Sequence, residues 1–367
     1  MDRPKPVWNY PLISCDDPLF QKAYDWEFPT SSLEEGKQKE MLKHILHVTA
    51  CWSFLKPLFS SHGYTLYRSM DDDPWNTYPE PLPKAVRDPK YPYARRCYEA
   101  DEDGVFGVNS GRIWAARDAL GHDVVIKVIS DADNPSNEFK VLQYLNEEGV
   151  RSDPRNLTIH VLEFLTIYNL VFAVMPRWDA AFRADFGTVA EVMQCGEQIL
   201  ECFGFLQEHR IFHGDFLDQN MGLNIATNSN KFFLIGLRDP SVTRYAVYDF
   251  GNSEIYPRDV SLRDFRANPW FKFSNYGLPF RNGPFNPFAV DFLSVIILLQ
   301  CRVRHIENIV PAVGPYFDRL MSYDDDSRPT AREALVDFRQ IVSQLSVTQI
   351  SEKISTHYWK DGVVYKK

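Results

Sequence analysis

The chain has few of the residues that mark secreted, zinc-binding or membrane-spanning proteins. It has six cysteines in 367 residues, and none forms a Cys-x-x-Cys pair or a Cys/His cluster with zinc spacing. Cysteines of this kind are ordinarily reduced, so we expect a cytoplasmic or nuclear protein. The first residues lack the apolar core of a secretory signal. The most apolar run, Phe288 to Cys301, is too short to cross a bilayer and predicts a buried helix.

The sequence also lacks the basic runs that bind nucleic acid. Its net charge is −9, with both signs spread along the chain, so we expect no nucleic-acid partner and no membrane insertion. Hydrophobic residues make up 44% and aromatic residues 14% of the chain, which is enough for a sizeable core and excludes a disordered protein. At 367 residues the chain exceeds the usual size of one domain core.

Hydrophobic patterns divide the chain into three stretches. Residues 1–98 are predicted to be an extension, with a helix that begins at the capping box Ser32-Leu33-Glu34-Glu35 and ends at Pro57. This helix either packs on the domain or serves regulation or docking. A loop-like stretch runs from Asp71 to Pro92. Residues 99–345 form the main domain and residues 346–367 a tail.

Strand patterns dominate the main domain up to residue 176, and helical patterns follow. The sequence therefore predicts an α+β fold with a small β-rich lobe, 99–176, and a larger helical lobe, 177–345. The predicted strands are 123–129, 159–165, 170–175, 231–235 and 246–248. The predicted helices are 137–145, one opened by the capping box at Thr188, the apolar run named above, and one from Thr330 to Phe338.

One loop carries chemically active side chains at a defined spacing. The stretch His213-Gly214-Asp215-Phe216-Leu217-Asp218-Gln219-Asn220 places an Asp and an Asn five residues apart, and Tyr248-Asp249-Phe250-Gly251 adds a second Asp. Such oxygen ligands hold magnesium, which offsets the negative charge of a transferred phosphoryl group. The order and spacing predict a magnesium-nucleotide site that orients a hydroxyl for phosphoryl transfer. Taken alone, Asp215 and Asn220 would fit a turn-stabilising pair.

A second group of candidate residues lies upstream. Lys127 ends the buried-strand pattern Val124-Val125-Ile126-Lys127, and a buried lysine needs a partner because an unpaired charge is costly to desolvate. Glu138, on the helix that follows, is the expected partner. Gly107 and Gly111 precede Lys127, and glycines there would let backbone amides approach phosphates. A plain hairpin turn is the alternative for this segment.

Together these motifs resemble the eukaryotic protein kinase domain over roughly residues 98 to 340. Asp291 in Ala289-Val290-Asp291-Phe292-Leu293-Ser294 resembles the buried aspartate that opens the family's central helix and ties down the catalytic-loop backbone. Arg328 in Asp326-Ser327-Arg328-Pro329-Thr330-Ala331 resembles the arginine of its late Arg-Pro-(Thr/Ser)-Ala segment. The texture is most similar to the fungal-type kinase domains of mushroom-forming fungi, on the segments 61–67, 206–211 and 286–291.

The resemblance implies a role for each candidate residue and ATP and Mg²⁺ as cofactors. Asp215 would be the catalytic base, and Lys127, held by Glu138, would contact the ATP phosphates. Asn220 and Asp249 would hold the metal. The implied partner is a protein substrate, phosphorylated on serine or threonine. The residues expected to contact the nucleotide are Lys127, Gly107, Gly111, Met175 and Asp249. His213 is expected to hydrogen-bond the backbone near Asp249.

Four departures from the family pattern leave the activity open. Gly214 stands where most protein kinases have an arginine that reads a phosphorylated loop, and Leu217 stands where a lysine usually steadies the γ-phosphate. Phe280 replaces the glutamate that pairs with the late arginine. Asp249 lies 29 positions after Asn220, which predicts an insertion between residues 227 and 243.

Two alternative functions follow from these departures. One is a pseudokinase that binds nucleotide or a partner without efficient transfer, favoured by the weak glycine segment, Leu217 and Phe280. The other is a small-molecule kinase of the aminoglycoside- or choline-kinase type, favoured by the His-Gly-Asp sequence and the long insertion. Asp291 and the Arg328 segment argue against the second alternative.

Overall fold

A computed structural model describes residues 35–97, 104–108, 110–227, 235–268, 283–322, 324–355 and 357–366. The described residues fall into two compact units. One is rich in strands and lies within Met1–Ser136, Val161–Arg177 and Ala226–Asn230; the other is rich in helices and lies within Asn137–His160, Trp178–Ile225 and Lys231–Lys367. The predicted division of the chain at residue 98 stays a prediction, because these units follow different boundaries.

The strand-rich unit is built on a five-stranded antiparallel sheet with the strand order β1-β6-β7-β9-β8. Strand β7 lies at its centre, and six of its nine residues are buried, in keeping with the β-branched run. A second, three-stranded sheet has the order β2-β3-β5. The elements are helix α1 (Glu35–Ser61) and strands β1 (Tyr64–Leu66), β2 (Arg68–Met70), β3 (Asp73–Tyr78), β4 (Arg95–Arg96), β5 (Phe106–Gly107), β6 (Ile113–Asp118), β7 (Asp123–Asp131), β8 (Glu163–Ile167) and β9 (Leu170–Pro176).

The core of this unit joins α1 to the sheet. Trp52 of α1 is fully buried, stacks on Trp114 of β6 at 5.8 Å between ring centroids, and meets Phe172 of β9 edge-to-face at 6.1 Å. Its indole N–H donates to the carbonyl of Gly111 at 3.0 Å, so the ring is held by packing and by a hydrogen bond. The predicted helix therefore packs on the sheet as part of its core.

Helix α1 does not end at Pro57, as the sequence predicts, but continues to Ser61. A proline inside a helix removes one backbone hydrogen bond and costs about 3 kcal/mol. The next turn carries Phe59, which is fully buried and packs edge-to-face on Phe172 at 5.1 Å. We infer that the burial of this ring offsets the cost of the proline. The start of the helix predicted at Ser32 lies outside the described residues.

The stretch predicted as a loop, Asp71 to Pro92, contains strand β3. Its sequence, Asp-Pro-Trp-Asn-Thr-Tyr, has no clear alternation, so the strand is set by its neighbours: β3 pairs with β2 on one side and with β5 on the other. Thr77 is fully buried and donates its hydroxyl to the carbonyl of Phe106 at 3.1 Å. Long-range pairing of this kind leaves no periodic signal in the sequence.

The helix-rich unit contains the remaining elements. Its helices are α2 (Asn137–Leu145), α3 (Glu148–Arg151), α4 (Val189–Glu208), α5 (Pro287–Val303), α6 (Val313–Ser322), α7 (Ala331–Ser343) and α8 (Val347–Ser351). Its strands are β10 (Asp179–Ala180), β11 (Ile211–Phe212), β12 (Met221–Leu223), β13 (Ile225–Ala226, which crosses the boundary between the units), β14 (Tyr245–Val247), β15 (Glu254–Ile255), β16 (His357–Lys360) and β17 (Val363–Lys366).

The helix starts in this unit follow the predicted caps. Thr188 accepts a hydrogen bond from the backbone of Glu191 at the start of α4, and Thr330 and Glu333 form a complete capping box at the start of α7. Helix α7 runs beyond the predicted Phe338 to Ser343. Helix α5 is buried nearly all round, as its apolar run predicts.

The predicted strand over residues 159–165 is shifted, because β8 begins at Glu163, whereas β9 and β14 lie close to their predicted positions. Most of the strand predicted over 231–235 lies outside the described residues. The fold class is α+β, as predicted, with a strand-rich and a helix-rich unit. In the part of the chain that the structure describes, no helix is both long and apolar enough to cross a membrane.

Candidate active site

The backbone of the loop that carries Asp215 is held by the side chain of Asp291, on helix α5. The two carboxylate oxygens of Asp291 accept hydrogen bonds from the backbone N–H groups of His213 and Gly214, the second at 2.9 Å. Burial raises the pKa of Asp291 to about 7, while these two hydrogen bonds act to lower it. The expectation that Asp291 ties down this backbone is confirmed.

Gly214 is required by the backbone of this loop. Its φ is +79°, a conformation that costs other residues about 1 kcal/mol or more, and a Cβ atom built on it would lie 2.4 Å from the carbonyl oxygen of Asn252. No side chain fits there without a shift of the backbone. The arginine found at this place in most protein kinases is therefore excluded by the local structure as well as absent from the sequence.

His213 links the loop to the segment of Asp249, as predicted. Its Nδ1 accepts a hydrogen bond from the backbone N–H of Asp215 at 3.3 Å, so Nε2 carries the proton and donates to the carbonyl of Tyr248 at 3.1 Å. The carbonyl of His213 accepts from the hydroxyl of Ser253 at 2.8 Å. The ring is fully buried, and it connects the backbone of Asp215 to the backbone of Tyr248.

A short strand pair brings Asn220 and Asp249 close together. Strand β12 starts directly after Asn220, β14 ends two residues before Asp249, and the two strands pair antiparallel with Met221 opposite Val247. The backbone N–H of Tyr248 donates to the carbonyl of Asn220 at 3.1 Å. Although the two residues are 29 positions apart in sequence, the ladder makes them neighbours.

The side chain of Asn220 is held by a hydrogen bond to the loop of Asp215. Its Nδ2 donates to the carbonyl of Asp215 at 2.7 Å, which leaves the amide oxygen as an acceptor or ligand. Asp249 has a φ of 64°, an uncommon value that a local constraint must hold. One amide oxygen and one carboxylate suit Mg²⁺, which takes most of its other ligands from water and phosphate oxygens. The described ranges contain no group of three His, Cys, Asp or Glu residues placed to hold a metal.

Glu138 lies on the same side of the unit as Asp249. A Cβ atom built on Gly251 would lie 3.5 Å from a carboxylate oxygen of Asp249 and 3.9 Å from one of Glu138. Gly251 therefore separates two acidic side chains, and Glu138 is only 3% exposed. Of the predicted site residues, the helix-rich unit thus contains Glu138, Asp215, Asn220 and Asp249.

The strand-rich unit contains the other predicted site residues, namely Lys127, Gly107, Gly111 and Met175. Lys127 lies on β7, opposite Ile113 of β6 and Ala173 of β9, and is 6% exposed. Met175 pairs with Val125 and is 7% exposed. The pairing of Lys127 with Glu138 and the contacts of Met175 with a nucleotide stay predictions.

The glycine segment does not form a hairpin with β6. Gly107 lies in β5 and pairs with Asn76 of β3, and Gly111 lies in the turn before β6. Neither is among the glycines with positive φ, so neither backbone conformation requires glycine. Strand β1 occupies the place beside β6 instead. A phosphate-covering role for this segment stays a prediction, and its hairpin alternative is wrong.

Arg177 anchors the start of this segment, and the sequence analysis missed it. Its guanidinium donates to the carbonyls of Gly104 at 3.0 Å and Val105 at 2.6 Å, and it lies over the ring of Phe106 at 5.5 Å. It also contacts the hydroxyl of Tyr67 at 3.5 Å. An arginine directly after a strand-ending proline was the available signal, but its partners lie more than 70 positions away in the chain.

Leu217 and Arg328, the arginine whose usual glutamate partner is replaced, both lie in the helix-rich unit. Leu217 is buried, so its position presents no polar group at the loop surface. Arg328 is 6% exposed and donates to the carbonyl of Leu320 at 3.2 Å and to Asp325 at 3.3 Å. Both partners of Arg328 therefore lie within eight positions of it in the sequence. Phe280 lies outside the described residues.

The insertion between β12 and β14 is anchored by Arg238, which is fully buried. Its guanidinium donates to the carbonyls of Ala181 and Ala184 and to the hydroxyl of Tyr245, and it lies 4.0 Å from the ring centroid of Phe186. Carbonyl dipoles and aromatic faces thus solvate the cation. The side chain of Asn224 bonds residues 242 and 244 and closes the base of the insertion.

Many solved structures are similar to the chain. No protein-family model matches the sequence, and no curated protein matches it. The crystal structure of the Rad53 kinase domain and SCD2 is similar to the chain with 16% sequence identity and a TM-score of 0.40. The similarity covers 66% of this chain and 89% of that one.

Proposed function

We propose that the chain is a protein kinase that uses ATP and Mg²⁺ and transfers the γ-phosphate to serine or threonine hydroxyls. The observation that supports this best is the assembly of Asp215, Asn220 and Asp249 by one hydrogen-bonded scaffold. Phosphoryl transfer depends mainly on positioning and on electrostatic stabilisation, which are what a rigid scaffold of oxygen ligands supplies.

Each residue has a defined task in this proposal. Asp215 accepts the proton of the substrate hydroxyl, and Asn220 and Asp249 hold Mg²⁺, which neutralises the charge on the phosphates. Lys127 contacts the phosphates and is held by Glu138. The fungal-type kinase domains, which the sequence resembles most, are the subfamily that we propose. A cytoplasmic or nuclear location belongs to the same proposal.

A direct test is transfer of labelled phosphate from ATP to a generic protein substrate in the presence of Mg²⁺. We expect transfer by the unmodified chain and a loss of at least about a hundredfold in Asp215→Ala and in Asp249→Asn. Asp88→Asn, which changes an exposed aspartate, is the matched control and should leave transfer unchanged. Absence of transfer together with absence of a Mg²⁺-dependent thermal shift on ATP addition would contradict the proposal.

The second candidate is a pseudokinase, and two observations favour it. Leu217 is buried and apolar, and Gly107 is paired with β3 away from β6. Both features withdraw groups that would assist phosphoryl transfer. In this case ATP would still raise the melting temperature, and it would do so equally in Asp215→Ala, while no transfer would be detected in either protein.

A further inference from the structure

Helix α2 carries Glu138 at its first turn and Tyr144 at its last turn. The position of the helix therefore decides where the Glu138 carboxylate lies with respect to Asp249 across Gly251. Val141, Leu142 and Leu145 are the apolar contacts that hold the helix in place. Apolar packing is not directional, so it holds α2 against its neighbours but leaves its rotation about the helix axis less well defined. A hydrogen bond at the end of the helix can fix this rotation.

Three side chains from three elements meet at the end of α2. The Tyr144 hydroxyl lies 2.6 Å from Nδ1 of His209, the C-cap residue of α4. Arg258, three residues after β15, contacts the Tyr144 hydroxyl, lies 3.0 Å from the same Nδ1, and covers the tyrosine ring at 5.8 Å. Arg258 also donates to the carbonyl of Glu208 at 3.3 Å.

The donors and acceptors fit in one way only. Arginine has donors and no acceptor, so both the Tyr144 oxygen and Nδ1 of His209 must accept from Arg258. The Tyr144 hydroxyl then donates its own proton to Nδ1, whose single lone pair is shared by the two donors. His209 is therefore neutral, with its proton on Nε2, when the three contacts are made together.

Burial and the neighbouring arginines also favour the neutral form of His209. Burial and the neighbouring Arg258 lower the pKa of His209, and Arg155 adds to this, whereas Asp153 and Glu208 act to raise it. Arg155 itself is engaged with Asp153 at 2.7 Å and with Glu208 at 2.6 Å, which reduces the effect of these carboxylates on the ring. A proton added at Nδ1 would face the guanidinium of Arg258 and remove the acceptor that both partners use.

We propose that Tyr144, His209 and Arg258 form a clamp that positions α2, and with it Glu138, against the segment that follows Asp249. Tyr144 and Arg258 are positioning residues, and neither contacts the predicted reacting groups. The role of Glu138 in transfer rests on the function proposed above, whereas the clamp itself is a property of the fold. Protonation of His209 opens the clamp, so the order of α2 depends on pH.

The test measures hydrogen–deuterium exchange of the α2 amides in the full chain, with α7 as the internal reference for solvent effects. At pH 7.5 we expect Tyr144→Phe and Arg258→Met each to raise exchange in α2 about tenfold and to leave α7 unchanged. Arg87→Met is the matched control, because Arg87 is an exposed arginine that lies outside both helices. It should leave α2 unchanged.

The pH arm separates a clamp from a contact that is merely structural. Relative to α7, exchange in α2 of the unmodified chain should rise between pH 7.5 and pH 5.5. In His209→Asn it should stay low at both values, because an amide oxygen accepts at the place of Nδ1 but does not titrate in this range. Unchanged α2 exchange in both Tyr144→Phe and Arg258→Met, or the same pH response in His209→Asn, would overturn the proposal.

Phosphate transfer is measured in parallel, and it tests whether the clamp affects catalysis through Glu138. If the clamp positions Glu138, Tyr144→Phe should lower kcat about tenfold, and His209→Asn should retain activity at pH 5.5 better than the unmodified chain. If the unmodified chain transfers no phosphate, the proposed function fails, and the exchange data alone decide the clamp.

Discussion

At the residue scale, the loop of the candidate site is defined by a glycine and a buried carboxylate. Gly214 supplies a backbone conformation that places two N–H groups at Asp291, and the Asn252 carbonyl fills the space where a side chain would lie. The two residues are one structural device, since the carboxylate can accept both hydrogen bonds only with this backbone.

Gly214→Ala should therefore destabilise the chain more than its φ alone requires. We expect a loss of about 3 kcal/mol in the free energy of unfolding, about 1 from the left-handed conformation and the rest from the contact with Asn252. Gly236→Ala is the matched control, because Gly236 has a φ of +82° and open space around it. Denaturant unfolding measures both, and equal losses in the two variants would contradict the explanation.

Asp291→Asn tests the other half of this device. The amide offers one acceptor and one donor, so one backbone N–H loses its partner and faces an NH₂ group. We expect a loss of about 2 kcal/mol in the free energy of unfolding at pH 8, where the carboxylate is ionised. Asp264→Asn, an exposed aspartate bonded to Ser261, should lose less than about 1 kcal/mol.

At the scale of elements, sequence patterns predict helices and strands that are set by neighbouring residues. They miss elements that depend on partners far along the chain. The limits of α2 are predicted to the residue, and the bonds of His213 and Asp291 follow from motifs within one family resemblance. Strand β3 and the extension of α1 through Pro57 depend on partners far along the chain, so no periodicity indicates them. Arg238 and Arg177 were missed for the same reason.

The insertion should depend on its buried arginine. Arg238→Met removes the partner of two buried carbonyls and of the Tyr245 hydroxyl, and we expect a loss of about 3 kcal/mol in the free energy of unfolding. Arg319→Met removes an exposed ion pair and should lose less than about 1 kcal/mol. Denaturant unfolding of the two variants measures both losses of free energy. Losses of similar size would mean that this side chain does not anchor the insertion.

At the scale of the whole molecule, stability should depend on pH through buried histidines. Burial lowers the pKa of His305 and of His160 to about 4. Between about pH 6.5 and pH 4 the unfolded chain binds more protons at these sites, so their contribution is complete above this window and is lost as the pH falls. Asp291, with its raised pKa, acts in the opposite direction over about pH 4 to 7.

Variants separate these contributions. His305→Leu removes one titrating site, so its free energy of unfolding should fall less steeply than that of the unmodified chain from pH 7 to pH 5, by up to about 1 kcal/mol per pH unit. His62→Gln changes an exposed histidine and should keep the original slope. Urea unfolding at several pH values measures both slopes, and identical slopes for His305→Leu and the unmodified chain would contradict the assignment.

The pairing of β1 with β6 has a consequence for how the predicted main domain can be isolated. A chain shortened to residues 99–367 keeps all the candidate site residues but leaves one side of β6 as an open sheet edge, with unpaired N–H and C=O groups beside an uncovered Trp114 and Phe172. Open edges of this kind recruit strands from other molecules. Such a chain should aggregate where residues 35–367 remain monodisperse in light scattering, because β1 covers this edge in the longer chain.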